Sequence, residues 1–396
     1  MRGAARPAAL ARAVCALALV LATGCAGGGA EREDDKGGAA PAATGPSRAV
    51  VRIAPANGAK SVDTQGELKV TAARGRLREV RVQDAAGRAA PGRISADGSR
   101  WTPDRHLATD TAYRVHAVAV DAEGRTSTED STFTTLDPES TFLGTFTPED
   151  GSTVGVGMPF SLRFDRGITR PDAVERAVRI TTEPAVPVRG HWFGNDRLDF
   201  RPEEYWQPGT VVTAELGLDG VEGRPGVYGE QTRKVSFTIG RSQVSTVDVE
   251  AKRMTVVRDG RVVRKLPVTA GAPATATYNG QMVISEKHEV TRMNGATVGF
   301  GDAYDIPDVP HAMRLSTSGT FVHGNYWAPN APGRANVSHG CLGLRDVRGG
   351  HDEKTPAAWF FHHSLVGDVV VVKNSRDERI RPDNGLNGWN LPCSRW

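Results

Sequence analysis

Cysteine is scarce in this chain. Four occur in 396 residues, at positions 15, 25, 341 and 393. So few exclude a disulfide-stapled scaffold, and the fold must rest on buried apolar cores. Long apolar runs are also missing. The longest, "AVCALALVLATG" at 13–24, is too short to span a bilayer comfortably, which excludes an ordinary membrane protein. Excess charge is small as well. The formal net charge is +3, and Arg2, Arg6 and Arg12 supply three positive charges ahead of the first acid, Glu31. Without residues 1–24 the chain is neutral, so it has no general attraction for nucleic acid, and none is expected as a partner. Sustained helical periodicity is almost absent too, which excludes a helical bundle.

What is present begins with the N-terminus. Arginines precede the short apolar run, as in a signal peptide. The run ends in "LATGC", which resembles the lipobox of bacterial lipoproteins, with Ala22 where Leu is usual. The resemblance implies removal of residues 1–24, lipidation of Cys25 and a membrane anchor on an extracytoplasmic protein. The glycine-rich polar stretch 25–47 cannot bury a core and reads as a flexible tether.

Residues 48–138 and 139–241 read as two copies of one module. "APANGAKSV" recurs loosely as "TPEDGSTV", and "STFTTL" as "VSFTIG". The spacing of about 100 residues is that of an immunoglobulin-like sandwich. "YRVHAVAVDAEG" alternates Val115, Ala117 and Ala119 with polar partners, and "FSLRFD" puts Phe160, Leu162 and Phe164 on one face. A short helix is expected at 169–178. His106, His116 and His191 stand alone and read as structural.

A third region, 242–374, follows, with a C-terminal segment, 375–396, expected to pack on it. Asp259-Gly260 between two apolar runs predicts a type I′ hairpin. "RMNGATVGFGDAYDIPDVPHA" at 292–312 reads as a long loop. "TPAAWFFHHSL" predicts a helix capped by Thr355 with Pro356 in its first turn.

The chemistry concentrates in "HGNYWAPNAPGRANVSHGCLGLR", 323–345. Cys341 is a candidate nucleophile, and only a few per cent of an ordinary thiol is thiolate at pH 7. His339 and His323 are the candidate bases, His323 through a hairpin-like return of the chain. Gly340 lets the backbone turn closely, and N–H groups around Gly340 and Cys341 suit an oxyanion. The same residues leave other readings open. These are a buried structural thiol, a zinc site of His323, His339 and Cys341, and a Cys341–Cys393 disulfide.

The pattern H-x14-S-H-G-C, with "SGTFVHG" before it and "GDVVVV" and "GWNLP" after it, resembles the L,D-transpeptidases, the YkuD-type cysteine enzymes of bacterial peptidoglycan. The whole chain is similar to the actinobacterial members. The resemblance implies a mainly β fold, with two immunoglobulin-like sandwiches before a β-rich catalytic domain carrying one or two short helices. It implies Cys341 as acyl-accepting nucleophile, His323 as base and the Gly324 carbonyl as its orienting group. Ser338, His339 and Gly340 would shape the nucleophile loop, with the N–H groups of His339, Gly340 and Cys341 as oxyanion hole. Ser318 and Gly319, on the strand before His323, and Trp327 would line the groove for the donor stem. The 292–312 loop would be a lid, with Tyr304 and Met313 touching substrate. Peptidoglycan stem peptides are the implied partners, acylation by carbapenems is implied, and no cofactor or metal is. One departure stands out. The family commonly has Asn or Arg two residues after the cysteine, and this chain has Gly343, with Arg345 as a conceivable substitute.

Overall fold

The computed structural model describes residues 45–299 and 301–396. The signal segment 1–24, Cys25 and most of the tether lie outside the described residues.

Two β-sandwiches come first. In one, the sheet Val50–Ala54, Lys69–Ala73, Arg100–Pro103, Gly92–Ile94 faces the sheet Ala59–Val62, Thr126–Thr135, Ala112–Val120, Arg76–Asp84. The alternation expected at 112–120 is real: Tyr113, Val115, Ala117 and Ala119 all point into the core. In the next, Phe160 packs between Phe200 and Phe237, with ring centroids 6.4 Å from each. A six-residue helix, α1 (Pro171–Arg176), lies where the sequence predicts one.

The remaining strands build two sheets. β1 (Gln243–Asp248), β2 (Arg253–Arg258), β3 (Arg261–Pro267), β4 (Gly280–Val283) and β9 (Val369–Lys373) form one, in the order β3-β2-β1-β9-β4. β5 (Glu286–Asn294), β6 (Asp305–Arg314), β7 (Phe321–Asn325) and β8 (Leu342–Arg345) form the other, in chain order. A shared core of Val247, Met282, Val322, Leu342 and Phe360 packs between them, helped by helix α2 (Pro356–His362). Thr355 caps α2 by accepting the N–H of Ala358. Asp259 and Gly260 adopt positive φ in the β2–β3 turn, as a type I′ hairpin requires.

Two expectations are corrected. The stretch 292–312 is not a loop. It is the tip and second arm of the β5–β6 hairpin, capped by two 3₁₀ turns, Gly295–Val298 and Gly301–Ala303. Its Gly, Pro and Asp content marks an edge hairpin with a bulge between Thr291 and Met293, not an absence of pairing. The chain between His323 and Cys341 does not return as a hairpin either. β7 and β8 are parallel, with His323 opposite Gly343. The intervening residues therefore make a crossover.

The C-terminal segment packs on more than the catalytic sheets. Every residue of Arg197–Arg201 is buried, including Arg197, Asp199 and Arg201 on the outer face. Arg201 donates to the Leu391 carbonyl at 2.9 Å and lies over the rings of Trp389 and Trp396. Trp389 donates to the Gly157 carbonyl at 2.7 Å. Gly155 and Gly157 donate to the carbonyls of Val366 and Gly367, and a Cβ on Gly157 would come within 2.4 Å of the Val369 side chain. The second sandwich and the catalytic sheets thus meet backbone to backbone.

Candidate active site

The site grows from β7. All five of its residues are buried. Val322 enters the shared core, while His323 and Asn325, on the opposite face, line a cavity of about 290 Å³ with Tyr304, Trp327, Cys341 and Gly343. The parallel pairing of β7 and β8 carries Cys341 to the same cavity as His323 although 17 residues separate them in sequence.

His323 is 4% exposed, and its Nδ1 sits 2.9 Å from the Gly324 carbonyl. A carbonyl only accepts, so Nδ1 carries the hydrogen and Nε2 keeps its lone pair. Burial lowers the imidazole pKa below its ordinary value, opposed by the Gly324 hydrogen bond and the charge of Asp346. Trp327 stacks on the imidazole at 5.4 Å between centroids and 16° between planes. Gly324 has no room for a side chain, since a Cβ there would lie 2.1 Å from an Asp346 oxygen.

Cys341 is partly buried beside Met293, Val309, Ala312 and Phe321. Its Sγ donates to the Gly319 carbonyl at 3.4 Å. Burial pushes the thiol up to about 11, opposed by the Phe321 backbone N–H and the Arg314 charge. The resting pair is therefore a neutral thiol and a neutral imidazole.

The nucleophile loop is pinned to the segment after β3. Ser338 N–H donates to the Ala270 carbonyl at 3.1 Å, and the Ser338 carbonyl receives Ala272 N–H at 2.8 Å and Thr275 Oγ1 at 2.9 Å. Ser338 Oγ donates to the Cys341 carbonyl at 2.6 Å and accepts the Gly340 N–H at 3.2 Å. Gly340 has φ of 112° with no heavy atom closer than 3.9 Å to a Cβ there, so the backbone angle rather than space demands glycine. His339 packs against Tyr304 with ring centroids 5.2 Å apart.

Several expected residues are placed differently. Met313 is fully buried in the shared core and touches no groove, because the strand alternation of β6 turns it inward. Arg345 is exposed on β8 beside Asn325 and does not line the cavity, so it cannot stand in for a side chain at 343. Ser318 and Gly319 lie in the turn before β7, not on a strand. Ser318 bonds Asn384 and Ser316 there, and Gly319 meets the thiol through its carbonyl. The Gly340 N–H, expected at an oxyanion, is taken by Ser338. Cys341 and Cys393 are both free thiols, which disposes of a disulfide between them. His323, His339 and Cys341 form no ligand cluster among the described residues. Sequence reasoning missed Asn325 and Thr269, both on the cavity wall. The signal for Asn325 was its place two residues after His323 on one strand face.

A family model described as the L,D-transpeptidase catalytic domain matches residues 242–372, and one for a bacterial Ig domain matches 59–222. The chain is 34% identical to L,D-transpeptidase 2 of Mycobacterium tuberculosis over 345 residues, covering 86% of this chain and 82% of that protein. The chain belongs to the L,D-transpeptidase family. L,D-transpeptidase 5 of the same species is 30% identical, over 86% of this chain and 75% of that one. The solved L,D-transpeptidase LdtMt1 in complex with imipenem is 29% identical, covers 60% of this chain and all of its own, and has a TM-score of 0.49. This chain carries a bacterial Ig-like region ahead of the L,D-transpeptidase catalytic domain, in a mainly β architecture.

Proposed function

We propose that this transpeptidase forms 3→3 cross-links in peptidoglycan through a thioester on Cys341. The observation that carries the reading is the shared cavity of Cys341 and His323, with the imidazole tautomer fixed by the Gly324 carbonyl.

Nε2 of His323 takes the Sγ proton as the sulfur attacks the carbonyl carbon of the third residue of a tetrapeptide stem. Negative charge develops on that carbonyl oxygen and is met by main-chain N–H groups of the nucleophile loop. The bond to the terminal D-Ala breaks, and the imidazolium returns its proton to the leaving amine. The side-chain amine of a diamino acid on a second stem then attacks the thioester, loses its proton to His323 and releases the sulfur. No metal or organic cofactor enters these steps.

The neutral thiol–imidazole pair supports proton transfer concerted with attack, since neither burial nor the Gly319 hydrogen bond favours a standing thiolate. A carbapenem would acylate the same sulfur. Lipidation of Cys25 would place the enzyme on the outer face of the cell membrane, with residues 48–138 and 139–241 as spacers holding 242–374 toward the wall.

Intact-protein mass tests the reading. Incubation with a carbapenem or a purified tetrapeptide stem should add one acyl group to the wild type and none to Cys341→Ala. A folded wild type that stays unmodified would refute the thioester. Product analysis then separates cross-linking from hydrolysis of the stem by water, the outcome of an L,D-carboxypeptidase.

A further inference from the structure

Gly343 breaks the pattern the sequence otherwise matches, and the structure shows what enforces it. A Cβ on residue 343 would lie 2.8 Å from Thr269 Cγ2 and 3.2 Å from Asn325 Nδ2. Two side chains close the space, and one of them is an amide.

Asn325 is 3% exposed and sits on the wall of the cavity that holds Cys341 and His323. Its Oδ1 accepts the Ala328 N–H at 2.9 Å, which settles which end of the amide is oxygen. The Nδ2 hydrogens donate to no protein acceptor among the described residues. The Nδ2 atom keeps accessible surface at the cavity wall, so it can meet a ligand that enters there. The free donor lies on the same face of β7 as the base and opens to the reacting sulfur's cavity.

We propose that Asn325 Nδ2 is a substrate-binding donor that holds a carbonyl or carboxylate oxygen of the acyl-donor stem, from the place that a side chain at 343 would otherwise fill. The assignment rests on the thioester reading above. The glycine and the asparagine are then one device: the donor has moved across the parallel pair from β8 to β7, and Gly343 leaves it room. An amide N–H2 recognises only an acceptor, so the ligand group is an oxygen, not the amine of the incoming stem.

Asn325→Asp is the discriminating variant, since it keeps the acceptor for Ala328 N–H and removes the donor. Three readouts are taken on the full chain: melting temperature, alkylation of Cys341 by iodoacetamide, and acylation by a tetrapeptide stem. The first two report what the new carboxylate does to the fold and to the thiol, and stem acylation should fall at least about tenfold more than alkylation does, as losing one specific hydrogen bond to substrate implies. The triple variant Asn325→Ala, Gly343→Asn, Thr269→Ala returns the amide from β8 and should recover most of that loss. Stem acylation of Asn325→Asp at the wild-type rate would overturn the assignment. So would an equal fall in alkylation, which would place the effect on the thiol. Failure of the wild type to form any stem adduct would instead sink the thioester reading, and is seen separately.

Discussion

Gly324 fixes the chemistry of the residue before it: its carbonyl holds His323 Nδ1 at 2.9 Å, so the proton-accepting nitrogen is Nε2. A backbone acceptor cannot be removed by a side-chain change, and this is a sturdier orienting group than a carboxylate. The position tolerates no substitution, since Asp346 fills the space a Cβ needs. Gly324→Ala should therefore cost folding rather than orientation alone, and is expected to give insoluble or cooperatively unstable protein on thermal melting.

The pH profile of acylation follows from the two shifts. His323 must be unprotonated to accept, and its pKa lies below 6.5, so activity should persist as pH falls through 6.5 and decline only at more acid values. On the alkaline side the thiol, pushed up to about 11, should stay protonated at rest, giving a flat rate from neutrality to about pH 10. Iodoacetamide alkylation, which follows the thiolate fraction, should instead keep rising with pH up to about 11. An alkylation plateau already reached by pH 7 to 8 would show a standing thiolate.

Replacing His323 by Gln keeps the ring's volume roughly while removing the base. Acylation should fall by about a hundredfold or more, the usual worth of a positioned general base. Trp327→Ala uncovers the imidazole that it stacks on, and should raise the His323 pKa toward its ordinary value by admitting water. The acid limb of the rate profile would then move upward, which a titration of acylation rate reports.

Gly343→Ala should destabilise by about 1–3 kcal/mol, the usual cost of overpacking, because Thr269 Cγ2 would lie 2.8 Å from the new methyl. Thr269→Ser removes that methyl and should restore most of the loss. Thermal melts of the single and double variants provide the check.

Arg201→Ala removes a guanidinium held between Trp389 and Trp396 and bonded to the Leu391 carbonyl. The expected loss is about 2–4 kcal/mol, with the C-terminal segment loosened before the catalytic sheets unfold. Limited proteolysis should cut first within 375–396.

The local decisions were legible in the sequence. Asp259-Gly260 dictated its turn, Thr355-Pro356 opened α2, and alternation drew Tyr113, Val115, Ala117 and Ala119 inward, since each depends on neighbours within a few residues. Cys341 and His323 were legible as a candidate pair from their residue types and glycine frame, and the structure brings both to one cavity. Tertiary structure alone decided the rest. Parallel rather than hairpin pairing of β7 and β8, the inward turn of Met313 and the exposure of Arg345 follow from which face of each strand meets the core. The burial of Arg197, Asp199 and Arg201 depends on a C-terminal segment more than 180 residues away. The fit of Asn325 against Gly343 is a contact between strands, and periodicity along one chain carries no information about what stands across from it.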